Sequence, residues 1–166
     1  MSVTMHDKTD AFAFLEGLNG RVLFLHGCNS RGVMGAGVAR VVKQRWPAAF
    51  HAYLRHCATV PRPLILGTHQ IVHMSPELSV VNAITQLDYG RRTMPGHAYA
   101  DYDAVEKVVR ELEGYVAYDY YVTVPVGCGL GGLCWSESDP DWSVKPSGFV
   151  QDIFEASSRE WQVCRL

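Results

Sequence analysis

Two stretches of the chain combine glycine with residue types that bind anions or move protons. The first runs from His26 through Cys28, Asn29 and Ser30 to Gly32, Val33, Met34, Gly35, Ala36 and Gly37. Its last three glycines bracket the start of a helical pattern. Glycine admits backbone angles closed to other residues and lets a ligand approach the main chain. The first N–H groups of a helix lack internal partners, and the helix dipole places partial positive charge beside them. Together these make a phosphate site. The plainer reading is a tight strand-to-helix turn with no ligand. It is not a Walker loop, since no Gly-Lys-Ser/Thr follows. The second stretch is Gly127, Cys128, Gly129, Leu130, Gly131 and Gly132, followed by Leu133, Cys134 and Trp135. Successive main-chain N–H groups in such a loop form an anion-binding nest. The interleaved Leu130, Leu133 and Trp135 predict that one side of it packs on apolar groups, with Trp135 beneath. Two such loops at neighbouring strand ends predict a ligand with two linked phosphates, held from opposite sides.

Three side chains near these loops are candidates for chemistry. His26 stands where the first loop leaves its strand, and its unperturbed pKa lies near neutrality. It reads either as a general base or nucleophile, or as a structural histidine bonded to nearby backbone. Asn29 and Ser30 can donate to sugar hydroxyls or phosphoryl oxygens; the alternative for Asn29 is a turn asparagine. Asp88 is the candidate acid, or an ordinary solvated aspartate, in a loop with Tyr89, Gly90, Arg91 and Arg92. That arginine pair either forks onto a terminal phosphate or faces water. The five cysteines (Cys28, Cys57, Cys128, Cys134 and Cys164) include no Cys-x-x-Cys pair and read as packing residues. The histidines outside the first loop show no metal-ligand spacing. No metal or other cofactor is expected.

The elements that would position these groups alternate. Residues 21–26 form a short apolar run between a glycine and a glycine-rich loop, which reads as a buried strand. From Gly37 the period becomes helical through Val38, Val41, Val42 and Trp46, and Pro47 stops it. A second helix follows over residues 48–57, with Phe50, Tyr53 and Leu54 on one face. Residues 67–73 and 79–83 read as strands joined in a hairpin. Residues 102–112 form a helix with a Val105, Val108, Val109, Leu112 stripe, capped by Asp101 or Asp103. Residues 120–126 read as a strand, 148–157 as a helix burying Phe149, Ile153 and Phe154, and 161–164 as a closing strand. Residues 3–5 suggest a short edge strand. Such alternation implies a mixed, mostly parallel sheet with helices on its faces, and ligands then bind at the carboxyl ends of the strands.

Bulk properties agree. The chain of 166 residues, 48% hydrophobic and 19% charged, suits one globular domain. A net charge of −2 without a basic run gives no footprint for direct nucleic-acid binding. No apolar run approaches the ~20 residues that span a bilayer, and the N-terminus lacks a signal-peptide pattern. A cytoplasmic monomer without membrane association is expected.

The glycine motifs resemble a known family. His-Gly-Cys-Asn followed by Gly-Val-Met-Gly-Ala-Gly-Val-Ala is similar to the first phosphate loop of macro domains. Val-Pro-Val-Gly-Cys-Gly-Leu-Gly-Gly-Leu-Cys-Trp is similar to the second. Between them, Val81-Asn-Ala-Ile-Thr85-Gln86 with Asp88-Tyr-Gly90 resembles a branch that includes ADP-ribose-1″-phosphate phosphatases and deacylating ADP-ribose hydrolases. The resemblance runs from about Arg21 to the C-terminus. It implies a three-layer α/β/α sandwich around the mixed sheet. It implies ADP-ribose or its 1″-phosphate in a surface cleft, with the pyrophosphate between residues 32–37 and 127–132, Thr85 and Gln86 nearby, and Asn29 against the distal ribose. Tyr99 and Tyr102 either reach the adenine or pack. Three positions depart from the family pattern. Asp7 is the nearest match to the adenine-holding aspartate of the opening strand. Gln86 stands where the deacylating branch has lysine, and Gly131 where that branch can carry aspartate. These departures point to phosphatase activity with His26, Asn29 and Asp88 as its machinery. The alternatives are removal of ADP-ribose from modified macromolecules and a non-catalytic reader of ADP-ribose or a related nucleotide signal.

Overall fold

The computed structural model describes residues 3–90, 98–139 and 148–166; Arg91 and Arg92 lie outside them. The strands are β1 (Val3–Asp7), β2 (Val22–Asn29), β3 (His69–His73), β4 (Leu78–Gln86), β5 (Tyr120–Thr123) and β6 (Trp161–Arg165). They form one sheet in the order β1-β6-β5-β2-β4-β3. Every pairing is parallel except that of β3 with β4, which is the expected hairpin. The helices are α1 (Ala11–Glu16), α2 (Gly37–Arg45), α3 (Pro47–Thr59), α4 (Arg62–Ile65), α5 (Tyr102–Leu112) and α6 (Val150–Glu155). Among the described residues no helix is long and apolar enough to cross a membrane.

Successive strand residues point to opposite faces of a sheet. Here both faces are covered, so the strands read as unbroken apolar runs. On one face Leu23, Leu25, Val81 and Val163 pack against Val105, Val108 and Leu112 of α5 and Phe154 of α6. On the other, Phe24, Val80, Ile84 and Val122 pack against Phe12 of α1, Val42 of α2, Tyr53 of α3 and Ile65 of α4. Each buried side chain of this size contributes about 2 kcal/mol relative to exposure. The succession Leu23, Phe24, Leu25, all buried, makes β2 the anchor of both layers. The result is the expected three-layer α/β/α sandwich.

Local differences have physical causes. Strand β2 continues through Asn29, three residues beyond the expected end, and shifts register against β4 between Cys28 and Asn29. Strand β5 stops at Thr123, just before Pro125, which has no N–H for a ladder. Helix α1 was not expected; Asp10 caps it, accepting from the Phe12 and Ala13 N–H groups at 2.8 and 3.0 Å. Helix α4 is a single turn with proline at its start. Helix α3 buries Ala49, Ala52 and Tyr53 rather than the predicted Phe50, Tyr53 and Leu54, and Leu54 is exposed. The small alanines bring α3 close to the sheet, where Asn82 and Gln70 donate to its Ala49 and Ala52 carbonyls at 3.0 and 2.8 Å. Asp101, not Asp103, caps α5 by accepting from the Ala104 N–H. In α6 Ile153 and Phe154 are buried as expected, together with Val150, while Phe149 is half-buried.

Candidate functional site

Five parallel strands end at the same edge of the sheet, and their C-terminal loops surround a cleft of about 1050 Å³. Its two long walls are the glycine stretches. Asn29, Val33, Gly35, Ala36 and Gly37 form one wall, with the first turn of α2. Gly127, Cys128, Gly129, Leu130 and Gly131 form the other, and Cys28, Thr85 and Gln86 line the cleft with them.

The first wall is braced by side chains. Asn29 Oδ1 accepts from the Arg31 N–H at 2.8 Å, and Asn29 Nδ2 donates to the Val33 carbonyl at 2.7 Å. Asn29 thus closes the turn while standing at the cleft. Ala36, the N-cap of α2, has no side chain to cap the helix. The first-turn N–H groups of α2 therefore depend on solvent or a ligand, with the helix dipole behind them.

The second wall is held by main chain. The Leu133 and Gly132 N–H groups donate to the Gly127 and Gly129 carbonyls at 2.8 and 3.1 Å. The Gly131 carbonyl accepts from both Tyr99 and Ala100 N–H. Gly127 has φ +73°, and a Cβ there would lie 2.9 Å from Ala100 Cβ. A Cβ at Gly131 would lie 2.6 Å from the Gly127 carbonyl oxygen. The absence of aspartate at 131 is thus built into the loop geometry. Leu133 and Trp135 are buried beneath, Trp135 against Phe154, while Leu130 stays 63% exposed at the rim.

Six expected site residues stand elsewhere. His26 is fully buried on the α3 face of the sheet, stacked beside Phe24. Its Nε2 lies 2.7 Å from Asn82 Oδ1. Asn82 Nδ2 donates to the Ala49 carbonyl, so Oδ1 must accept and His26 Nε2 carries the proton. Burial pushes the His26 pKa down to about 4, against the smaller raising effect of Asn82. A neutral, sealed imidazole bonded to an amide matches the structural reading of His26, and the base or nucleophile reading is left without access to the cleft. Asp88 lies outside the cleft wall, clamped by Arg31 (2.5 Å) and Arg62 (3.4 Å). The Arg31 hydrogen bond holds its carboxyl below the usual range, so it is ionised and unsuited to donating a proton. Ser30 turns away, its hydroxyl donating to the Leu87 carbonyl at 2.7 Å. Gly32 faces Leu54 of α3, Met34 is buried in the core, and Gly132 lies behind the wall, bonded to Gly129.

The cleft also contains residues that sequence reasoning missed. At the β1–β6 end it is lined by Thr9, Asp10, Phe12 and Arg165, and at the β4 end by Tyr89 and Gly90. Asp7 is not among them; its carboxylate is paired with Arg165 at 2.7 Å. The available signal was Asp10 as a helix cap immediately after a strand. Burial pushes the Cys28 and Cys128 thiols far up and Cys164 to about 11, which makes these three poor nucleophiles. The Thr85 hydroxyl is buried with no hydrogen-bond partner among the described residues. Nor do those residues contain a cluster of three His, Cys, Asp or Glu side chains able to hold a metal ion.

No family model matches the chain. Over 74 residues, 43% of the chain, it is 34% identical to an ADP-ribose 1″-phosphate phosphatase of Meyerozyma guilliermondii. Over 115 residues, 66% of the chain, it is 30% identical to a DNA ADP-ribosyl glycohydrolase of Mycobacterium tuberculosis. The matches span only 41% and 30% of those two relatives. Among solved structures, a Bacteroides thetaiotaomicron protein of unknown function superposes with a TM-score of 0.77 at 21% identity, covering 100% of both chains. A macrodomain protein from Streptomyces coelicolor gives 0.67 at 21% identity, covering 98% of this chain and 97% of that one. Thermosipho africanus DarTG in complex with ADP-ribose gives 0.62 at 17% identity, covering 87% of this chain and 38% of that one.

Proposed function

From the macrodomain fold of this chain, and its resemblance to the ADP-ribose 1″-phosphate phosphatase branch, we propose that it binds ADP-ribose and its 1″-phosphate and hydrolyses the terminal phosphate of the latter. The observation that carries the binding is the pairing of the two glycine walls across one cleft. The uncapped N-terminus of α2 faces the crowded main-chain loop of residues 127–132. A pyrophosphate between them meets main-chain donors and the positive end of a helix dipole. The chain's net charge is no obstacle, because the donors are dipoles rather than cations. In the hydrolysis a water oxygen attacks phosphorus, the bond to the 1″ oxygen breaks, and the proton ends on the sugar hydroxyl. With His26 sealed and Asp88 clamped outside, acceleration comes from positioning and preorganised N–H donors.

The same burial of His26 and clamping of Asp88 favours a second reading, a reader that binds ADP-ribose without turnover. Lysine–aspartate chemistry for releasing ADP-ribose from macromolecules has no support in the cleft. Gln86 Nε2 donates to the Asp88 carbonyl at 2.7 Å, and position 131 has no room for a side chain. Calorimetry with ADP-ribose tests the binding, and phosphate release from ADP-ribose 1″-phosphate tests the reaction. Heat with ADP-ribose but no phosphate selects the reader. Release of label from ADP-ribosylated DNA or protein selects the glycohydrolase. No heat with either ligand ends all three.

A further inference from the structure

The first glycine wall takes its shape from a helix that does not line the cleft. Tyr53 is fully buried on α3 and points its hydroxyl at the turn. That oxygen lies 2.8 Å from both the Asn29 carbonyl and Asn29 Oδ1, and accepts from the Val33 N–H at 3.0 Å. One helical turn further, the Cys57 thiol stands beside the same turn, near Gly32 and the Tyr53 hydroxyl. Residues at i and i+4 share one helix face, so α3 presents both groups to the turn together. Burial pushes the Tyr53 phenol far up, so it keeps its proton and remains a donor.

The helix is itself fixed to the sheet. Asn82 and Gln70 hold the Ala49 and Ala52 carbonyls, and His26 holds Asn82. A set of buried and partly buried hydrogen bonds therefore runs from β2 and β4 through α3 to the turn over residues 29–33. Buried polar networks that are fully satisfied fix a single geometry.

We propose that Tyr53 is a positioning residue for ligand binding: its hydroxyl holds Asn29 and Val33 in the conformation that aims the α2 N-terminus into the cleft. Tyr53 itself does not line the cleft. The proposal rests on the ADP-ribose-binding reading and assigns a source for its geometry.

The test compares affinity with stability. Tyr53→Phe keeps the ring in the core and removes only the oxygen, leaving the Val33 N–H without its partner. ADP-ribose and ADP affinities by calorimetry should both fall about tenfold, since both ligands share the pyrophosphate. Asn29→Ala removes the turn's other side-chain ties and should weaken binding of ADP, which lacks the distal ribose, about threefold. Tyr118→Phe is the control: its hydroxyl donates to Ser79 at the opposite end of β4, at 2.9 Å. Its urea midpoint should fall while its affinity stays that of the wild type. A Tyr53→Phe protein that loses stability yet binds as the wild type overturns the proposal. If Tyr53→Phe does not fold, wild-type ADP affinity in Asn29→Ala overturns it. A wild-type protein that binds neither ligand overturns the binding reading first, and this inference with it.

Discussion

The two glycine walls reach the same end by different physics. In the first, side chains do the shaping: Asn29 and Tyr53 tie the turn, and the Arg31–Asp88–Arg62 cluster joins it to the loop after β4. In the second, glycine is required at 127 by a φ of +73° and the adjacent Ala100 and Leu133 side chains, and at 131 by the Gly127 main chain itself. A side-chain scaffold can lose one bond and keep its outline. A crowded main chain has no slack, because an added carbon must displace backbone. The first wall should degrade gradually under substitution and the second abruptly.

The sharpest break of that contrast is Gly131→Ala. With a Cβ 2.6 Å from the Gly127 carbonyl oxygen, the loop must rebuild at a cost of about 2 kcal/mol. Urea unfolding should show that loss, and calorimetry a fall in ADP-ribose affinity of about a hundredfold or more. An affinity within about threefold of the wild type would end the idea of a crowded wall.

Gly129→Ala sharpens the comparison within the second wall. No atom lies within 4 Å of a Cβ there, and its φ is not in the left-handed region. Stability should stay within about 0.5 kcal/mol. ADP-ribose affinity should nevertheless fall about tenfold, because the methyl group occupies the ligand's approach to the main chain. Unchanged affinity would show that the ligand does not run over this loop.

His26 gives a pH dependence to the framework behind the first wall. Its folded pKa of about 4 lies below the unfolded value of 6.5. Above pH 6.5 it is neutral in both states and adds nothing to the pH profile. Between pH 6.5 and 4 the unfolded chain binds a proton that the folded chain refuses, so stability falls as pH falls. The slope contributed is about 1.4 kcal/mol per pH unit. His26→Gln should flatten the profile over that window, while the phosphate-release rate at pH 7.5 falls far less than loss of a catalytic base would require. Abolished turnover in a stably folded His26→Gln protein would restore its catalytic role.

The smallest effect belongs to Asp88→Asn. The aspartate is solvent-exposed, and surface ion pairs contribute little. Urea midpoint and ADP-ribose affinity should change by no more than about twofold in the unfolding or dissociation constant. A large loss of turnover with binding intact would return Asp88 to the machinery.

Much of the architecture was legible because it is written in local periods. The apolar run before His26, the helical stripe over residues 102–112 and the hairpin around Met74 each carry their own signal. The glycine stretches were legible as walls because a strand followed by clustered glycines limits what the backbone can do. Helix α1 escaped because six residues hold too few periods, though Asp10 was present as its cap. Within the walls, the sequence could not separate Gly35 and Gly129, which face the cleft, from Gly32 and Gly132, which do not. That division depends on how the turn is rotated, which tertiary hydrogen bonds set.

By itself the sequence determined the layered sheet, the loops at its carboxyl edge and the exclusion of side chains that glycine achieves there, because these follow from propensity, pattern and the missing Cβ. The tertiary structure alone decided that His26 faces Asn82 instead of the cleft, that Arg31 and Arg62 immobilise Asp88, and that Asp10 rather than Asp7 stands at the cleft's end. Strand alternation leaves two faces open to a residue. Which face is core and which borders the cleft is fixed only when helices from distant parts of the chain have packed against them.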